Sequence, residues 1–208
     1  MMTYKKSAEE IYRESFEIIR TESDLSAFSP RLARVVVRMI HACGMTDLPQ
    51  YVAASPTAIE VGEMALLAGK PIYCDANMVA NGITRSRLPK DNEVICTLND
   101  PRTVELASRF GTTRSAAALE LWREKLGGSV VVIGNAPTAL FHLLEMLEDG
   151  AQQPSLIIGV PVGFVGATES KVALETNRQN IPYLTIRGRR GGSAIAAAAV
   201  NALASEEE

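Results

Sequence analysis

The sequence predicts an α/β protein with a three-layer α/β/α architecture, flavodoxin-like or Rossmann-like, on a mostly parallel sheet of five or six strands. Short apolar runs alternate with helical segments along the chain, which is typical of β-α-β units. The runs at 129–134 and 155–160 are apolar without alternation, as in strands that a parallel sheet buries on both faces. Serine caps, prolines and glycines mark the ends of the helical segments.

A helical N-terminal segment precedes the first strand. Its first helix runs from about Ala8 to Arg20, behind the capping box S-A-E-E. The second follows Ser29, a good N-cap, and Pro30, which suits the first helical position. Gly44 ends this helix in the left-handed conformation that glycine favours.

Strands and helices then alternate to the C-terminus. Strands are predicted at 51–54, 71–74, 93–98, 129–134, 155–160 and 182–187. Helices are predicted at 56–68, 101–110, 113–125, 137–147, 168–178 and 192–204, with a loop and short helix at 75–82. No long linker or change of composition divides the chain, so residues 1–208 are predicted to form one domain.

The composition excludes several classes of protein. A net charge of −3 does not favour binding to nucleic acid, and no apolar run reaches the roughly 20 residues of a membrane span. The N-terminus lacks a signal-peptide pattern, so we expect a cytoplasmic protein without a membrane partner. The 3 cysteines have no paired spacing and no cluster of metal ligands accompanies them, so reduced thiols and no metal site are predicted.

The second helix carries a cationic face. Arg31, Arg34, Arg38 and His41 fall within an arc of roughly 80°, opposite an apolar face. A helix C-terminus favours the imidazolium form of His41, nearby arginines favour the neutral form, and a bound polyanion would restore protonation. His41 is therefore a candidate general acid for an anionic substrate, and Arg31 and Arg34, one to three turns back, are expected to serve surface or interface pairing. His142, in the middle of a helix, is interpreted as structural.

Glycine-rich loops follow three predicted strands, where open α/β sheets bind ligands. Arg187, Arg189 and Arg190 lie beside glycines in the last of them, and either an anion site or a solvated loop fits this pattern. The sequence contains no G-x-G-x-x-G, no P-loop and no G-x-S-x-G motif. These absences count against dinucleotide enzymes, P-loop proteins and α/β-hydrolases.

Four motifs resemble one enzyme family. They are R-M-I-H-A-C-G-M at 38–45, G-N-A-P-T-A-L at 134–140, G-V-P-V-G-F-V-G-A-T-E-S-K at 159–171 and R-G-R-R-G-G-S-A-I-A-A-A-A-V-N-A-L at 187–203. In this order they resemble the precorrin-8X methylmutases of vitamin B12 synthesis, called cobalt-precorrin-8 methylmutases in the anaerobic route. The resemblance covers nearly the whole chain.

The resemblance implies a flavodoxin-like homodimer with sites near the subunit interface and no separate cofactor. It implies an isomerase that moves a methyl group from C11 to C12 of precorrin-8X or cobalt-precorrin-8, giving hydrogenobyrinic acid or cobyrinic acid. The family's active histidine lies in H-A-C-G, so this role is carried to His41.

The resemblance and the loops together suggest positions that contact the corrinoid substrate and product. These are Ser15, Arg38, Arg114, Arg187, Gly163 and Gly191. Two alternatives stay open from the sequence: a tetrapyrrole carrier that binds the same molecule without catalysis, and a flavin- or nucleotide-binding protein on the same architecture.

Overall fold

A computed structural model describes residues 4–205 of the protein. Its strands are β1 (Val52–Ala54), β2 (Ile72–Cys74), β3 (Val94–Ile95), β4 (Val130–Ile133), β5 (Leu156–Gly159) and β6 (Tyr183–Ile186). Its α-helices are α1 (Ala8–Glu22), α2 (Pro30–Cys43), α3 (Ala58–Leu67), α4 (Asn77–Gly82), α5 (Pro101–Phe110), α6 (Arg114–Ala117), α7 (Pro137–Glu148), α8 (Ala167–Glu175) and α9 (Ser193–Ala204). Three 3₁₀ helices lie at Leu48–Tyr51, Arg85–Arg87 and Ala118–Lys125.

The strands form one sheet in the order β1-β6-β5-β4-β2-β3. Strands β2 to β6 are parallel, and β1 lies antiparallel to β6 at one edge. The parallel strands follow the flavodoxin-like order. In this order successive strands are added first to one side of the first strand and then to the other, so the strand order reverses here between β2 and β4. The topology confirms the predicted fold class.

Two apolar cores cover the two faces of the sheet. Val130 and Val132 of β4 pack into a core with α2, α3, α4 and α9, while Val131 and Ile133 pack into a second core with α7, α8 and the 3₁₀ helix Ala118–Lys125. Because both faces are buried, β4 is apolar at every position, as the sequence indicated. Helix α1 packs against α2.

Helix α2 has the ends that its sequence predicts, and the chain after it returns to the carboxyl edge of the parallel strands. The Ser29 hydroxyl accepts a hydrogen bond from the Leu32 N–H at 3.3 Å, and Gly44 closes the helix with φ 69°. The chain then enters β1 beside the end of β6, where the N–H of Arg187 donates to the Tyr51 carbonyl at 2.8 Å. The end of α2 is thus close to the edge formed by the carboxyl ends of the parallel strands.

The predicted strand 93–98 is shorter in the structure, and the predicted helix 113–125 is divided. Only Val94–Ile95 pairs with β2, and beyond it Thr97 accepts at its backbone carbonyl from the Asp100 N–H at 3.0 Å. Its hydroxyl donates to the Ala118 carbonyl at 2.8 Å and accepts the Trp122 indole N–H at 2.8 Å. These bonds occur where α6 passes into the 3₁₀ helix. The same threonine therefore lies at the end of β3 and contacts the point at which the predicted helix is divided.

The ends of two further elements also differ. The predicted helix 168–178 ends at Glu175, and the helix predicted from 56 begins at Ala58. In residues 4–205 no helix combines the length and the apolar character that crossing a membrane requires.

Candidate active site

His41 lies in the last turn of α2 against three side chains of α1. Its Nδ1 is 2.9 Å from the Ser15 hydroxyl oxygen, and its ring centroid lies 5.4 Å from that of Tyr12 and 5.1 Å from that of Phe16. Positions 12, 15 and 16 share one face of a helix, so the packing of α1 on α2 brings all three to the imidazole. With Arg38, these residues form the histidine site.

Arg38 precedes His41 by one helical turn, as the sequence predicts for a carboxylate holder. Its guanidinium carbon lies 5.8 Å from the centre of the Phe16 ring, and the residue is half-buried. Burial, and secondly the charge of Arg38, lower the pKa of His41 below its ordinary value. The imidazole of the free protein is therefore mostly neutral at pH 7. When Ser15 donates its O–H to Nδ1, the neutral ring carries its proton on Nε2.

The other two arginines of the cationic face are held away from His41. Arg34 pairs with Glu63 of α3 at 2.6 Å and also donates to the Ser205 carbonyl at 2.7 Å. Arg31 lies 3.4 Å from the same glutamate. These contacts agree with the surface pairing expected for both residues. Of the three arginines on the cationic face, Arg38 is the one beside the imidazole.

Arg190 links the loop after β6 to the chain that follows α2. Its guanidinium donates to Asp47 at 2.7 Å and lies 4.7 Å from the centre of the Tyr51 ring. The adjacent Arg189 lies over the ring of Phe164 at 5.2 Å. The run of arginines beside glycines was the signal for this loop, but the sequence does not reveal which partners each arginine takes.

Gly163 and Gly191 belong to two loops that bond to each other at the carboxyl edge. The N–H of Gly163 donates to the Arg189 carbonyl at 3.2 Å, and the N–H of Gly192 donates to the Val160 carbonyl at 2.8 Å. Gly191 has φ 154°, and a Cβ atom there would lie 2.1 Å from the Val160 oxygen. This close approach requires glycine whether or not a ligand binds.

Arg187 and Arg114 bond to partners outside the histidine site. Arg187 pairs with Glu175 of α8 at 2.7 Å; Ile186 packs in the core on the α2 side, so strand alternation directs Arg187 to the other face. Arg114 donates to the Leu98 carbonyl at 3.0 Å and to the Asn99 side chain at 3.1 Å, near the end of β3. The structure does not bring either guanidinium into contact with His41.

His142 has a structural environment. Its Nε2 is 2.7 Å from one carboxylate oxygen of Glu120, and the other oxygen accepts from Arg123 Nε at 2.9 Å. The side chain is 17% exposed and packs between α7 and the neighbouring 3₁₀ helix. These contacts agree with the structural interpretation of this histidine.

Asp75 closes the position where a flavodoxin-like protein would bind its nucleotide. It follows β2 directly, and its carboxylate accepts from the N–H groups of Gly134 at 2.9 Å, Asn135 at 2.9 Å and Ala136 at 2.7 Å. Burial raises the pKa of Asp75, and the three N–H donors oppose this effect. Ligands of this architecture bind where the strand order reverses, between β2 and β4. Here those anion-binding N–H groups already hold a carboxylate, which weakens the nucleotide-binding alternative.

The acidic and sulfur-containing side chains of the described residues do not form a metal centre. Within residues 4–205, no group of three or more His, Cys, Asp or Glu side chains is arranged to hold a metal ion. The three cysteines are free thiols.

The fold and the histidine site define a class: a flavodoxin-like α/β protein that has an exposed imidazole beside a half-buried arginine at the end of α2, and whose usual nucleotide position is closed. The family model described as precorrin-8X methylmutase matches residues 10–206. The chain belongs to the precorrin-8X methylmutase family.

Individual relatives agree with the family assignment. The chain is 58% identical to the precorrin-8X methylmutase of Pseudomonas aeruginosa over the full length of both chains. It is 39% identical to the cobalt-precorrin-8 methylmutase of Salmonella typhimurium, over 97% of each chain. The crystal structure of a precorrin-8X methylmutase from Thermus thermophilus superposes with a TM-score of 0.86 at 40% identity, over 95% of each chain.

Proposed function

We propose that the protein is an isomerase that converts precorrin-8X to hydrogenobyrinic acid in cobalamin biosynthesis, by moving a methyl group from C11 to C12 of the ring. The observation that carries this proposal is the histidine site, in which His41 Nδ1 lies 2.9 Å from the Ser15 hydroxyl in a chain of this family. In the proposal His41 is the general acid, and Ser15 and Arg38 contact the substrate.

The negative charge of the substrate is expected to control the protonation of His41. The pKa of His41 is low in the free protein because of burial and the charge of Arg38. Acetate and propionate groups of the substrate would neutralise Arg38 and favour imidazolium, so the pKa of His41 rises when the substrate binds. Protonation of the ring by His41 then favours the tautomer from which the methyl group migrates.

The atoms must balance over the reaction. The C11–methyl bond breaks and the C12–methyl bond forms within one molecule, and substrate and product are isomers. Any proton that His41 delivers to the ring therefore returns to the protein or to water before the next turnover. Most of the remaining acceleration comes from holding the ring in its reactive form.

Arginines bind carboxylates through paired hydrogen bonds, so they are the natural partners of the substrate's rim. We assign one such carboxylate to Arg38, which lies beside the imidazole. Arg114 and Arg187 are proposed for carboxylates farther along the sheet edge, and Arg187 would exchange its bond to Glu175 for the substrate. The loops containing Gly163 and Gly191 are proposed to lie along the ring.

The form of the substrate is inferred from the relatives. The relative named for the metal-free substrate is 58% identical to this chain, and the relative from Salmonella typhimurium named for the cobalt substrate is 39% identical. This difference supports precorrin-8X rather than cobalt-precorrin-8. Parallel assays with both substrates test the inference: faster conversion of the cobalt form would contradict it.

We further propose a cytoplasmic homodimer. Ile11 and Ile18 are 45% and 47% exposed on α1, the helix that contributes Ser15, and apolar side chains beside a site are suited to coverage by a second subunit. Sedimentation at assay concentration tests the assembly, and a monomer with full activity would contradict it. The Ile11→Glu variant should shift the protein towards monomer.

The two histidines provide the decisive comparison. We expect the His41→Gln variant to lower kcat by roughly 10²–10⁴, the typical contribution of one general acid. His142→Gln is the matched control and should convert precorrin-8X close to the wild-type rate, followed by absorbance. Conversion by His41→Gln at the wild-type rate would refute the catalytic role. If the wild-type protein binds the corrinoid without converting it, the carrier hypothesis is correct.

A further inference from the structure

Lys171 is a buried lysine that the proposed reaction does not use. It lies in α8 with 1% of its surface exposed, and its Nζ donates to the Arg190 carbonyl at 2.7 Å. Burial lowers the pKa of Lys171 to about 8. None of the salt bridges found within residues 4–205 involves this ammonium. A buried cation without a carboxylate partner is costly, so its bond to the Arg190 peptide calls for an explanation.

The bonded carbonyl belongs to a residue that reaches the end of α2. The guanidinium of Arg190 donates to Asp47 at 2.7 Å and lies over Tyr51 at 4.7 Å. Asp47 and Tyr51 lie in the segment between α2 and β1, six and ten residues after His41. A continuous set of contacts therefore runs from Lys171 through Arg190 to the segment that follows the histidine.

Other contacts fix the loop elsewhere. The N–H of Gly192 donates to the Val160 carbonyl, and the Arg189 carbonyl accepts from the N–H of Gly163. Both contacts join the loop to the end of β5. The Lys171 ammonium binds the peptide between them, at the residue whose side chain points to the α2–β1 segment.

We propose that Lys171 is a positioning residue for the histidine site, acting through Arg190. Its ammonium binds the Arg190 carbonyl, and the Arg190 side chain contacts Asp47 and Tyr51. Through these contacts the segment after α2 keeps the His41 imidazole within hydrogen-bonding distance of the Ser15 hydroxyl. The activity readout of this proposal rests on the proposed function, whereas the effect on His41 itself does not.

A double-mutant cycle tests the coupling. Lys171→Met removes the ammonium and keeps a side chain of similar length; we expect kcat to fall about tenfold with a smaller change in KM, as for Arg190→Ala. In the Arg190→Ala background, Lys171→Met should lower kcat less than about twofold, because the side chain it orients is gone. Equal factors in both backgrounds, or wild-type kcat in Lys171→Met, would overturn the proposal.

The controls separate positioning from folding. Lys90→Met removes an exposed lysine and should leave kcat unchanged. Thermal unfolding checks that each variant is folded, and Lys171→Gln, whose amide ends one bond short of the position of the ammonium, replaces the methionine variant if that one does not fold. If the glutamine variant is used, its kcat should again fall in the wild-type background and not in the Arg190→Ala background.

A second readout is independent of turnover. The imidazole NMR signals of His41 should shift in Lys171→Met and in Arg190→Ala, while those of His142 and those of the Lys90→Met protein stay as in the wild type. Unchanged His41 signals in a folded Lys171→Met protein would refute the proposal even if the enzyme acts on another substrate. Loss of the proposed function alone would leave these shifts intact.

Discussion

Two parts of the molecule differ in how their anion-binding groups are occupied. Between β2 and β4, the loop N–H groups at Gly134, Asn135 and Ala136 point to the buried carboxylate of Asp75. At the end of α2, the exposed imidazole of His41 contacts the Ser15 hydroxyl and lies beside the half-buried Arg38, whose guanidinium lies over the Phe16 ring. One part is closed by the protein's own charge, and the other is accessible to a ligand.

The customary binding position of this fold is occupied by the protein's own side chain. In flavodoxin-like sheets the crevice at the strand reversal receives the cofactor phosphate or ring. Here a side chain occupies the anion-binding groups of that crevice and joins β2 to the start of α7. The proposed substrate site lies instead at the N-terminal helical segment, where α1 and α2 supply Ser15, Arg38 and His41.

The largest effect on the closed part is expected for Asp75→Ala. Removing the carboxylate leaves three N–H groups without their acceptor, and each unsatisfied buried group costs about 1–3 kcal/mol. The free energy of unfolding should fall by about 3 kcal/mol or more, measured by urea denaturation. Asp75→Asn keeps one acceptor oxygen and should fall by less.

Asp24→Asn is the matched control for this change. Asp24 also accepts from a backbone N–H, that of Ser26 at 3.0 Å, but it lies in an exposed loop. Its substitution should leave the unfolding free energy nearly unchanged. If Asp75→Ala were as stable as the wild type and bound a flavin nucleotide no better, the closed crevice would have no structural role, and the comparison between the two parts would fail.

Local signals made the fold class, the two ends of α2 and the position of His41 predictable. Ser29, Pro30 and Gly44 act within a few residues of themselves, and the apolar pattern of β4 follows from burial on both faces. Short-range patterns could not reveal the bond between Arg190 and Asp47, which lie 143 positions apart. The length of β3 was also not predictable, because the chain leaves the sheet where Thr97 bonds to Ala118 and Trp122, which lie 21 and 25 positions away.

The site itself was predictable only in part. The family resemblance suggested Ser15, and the structure brings it to His41 across 26 positions. The resemblance could not predict that Arg187 and Arg190 take different partners. In the structure Arg187 pairs with Glu175, and Arg190 pairs with Asp47. The two partners differ because side chains alternate between the faces of the sheet at the end of β6. Which face each side chain takes depends on the register of the sheet.

On the open part, Arg38→Ala should weaken binding of hydrogenobyrinic acid. A hydrogen bond to a charged group contributes about 1.5–3 kcal/mol, so the Kd measured by absorbance titration should rise roughly 10–100-fold. Arg31→Ala is the control on the same helix, because Arg31 is oriented towards Glu63. Equal losses in both variants would indicate a general charge effect and not a specific site.

The same variant has an expected effect on titration. The charge of Arg38 contributes to the low pKa of His41, so Arg38→Ala should raise that pKa, measured by NMR of the imidazole. Between its lowered pKa and the ordinary value of 6.5, His41 binds fewer protons in the folded state than in the unfolded state. Its contribution to stability therefore falls as the pH drops through this window, and less so in Arg38→Ala.

The smallest effect is expected for Ser15→Ala. This change removes one neutral hydrogen bond to the His41 imidazole, about 0.5–1.5 kcal/mol, so kcat/KM should fall roughly 2–10-fold. Ser15→Thr retains the hydroxyl and should recover most of the loss, while Ser108→Ala, on the exposed side of α5, should behave as the wild type. A Ser15→Ala enzyme with wild-type kcat/KM would show that stacking on Tyr12 and Phe16, and not the hydroxyl, orients His41.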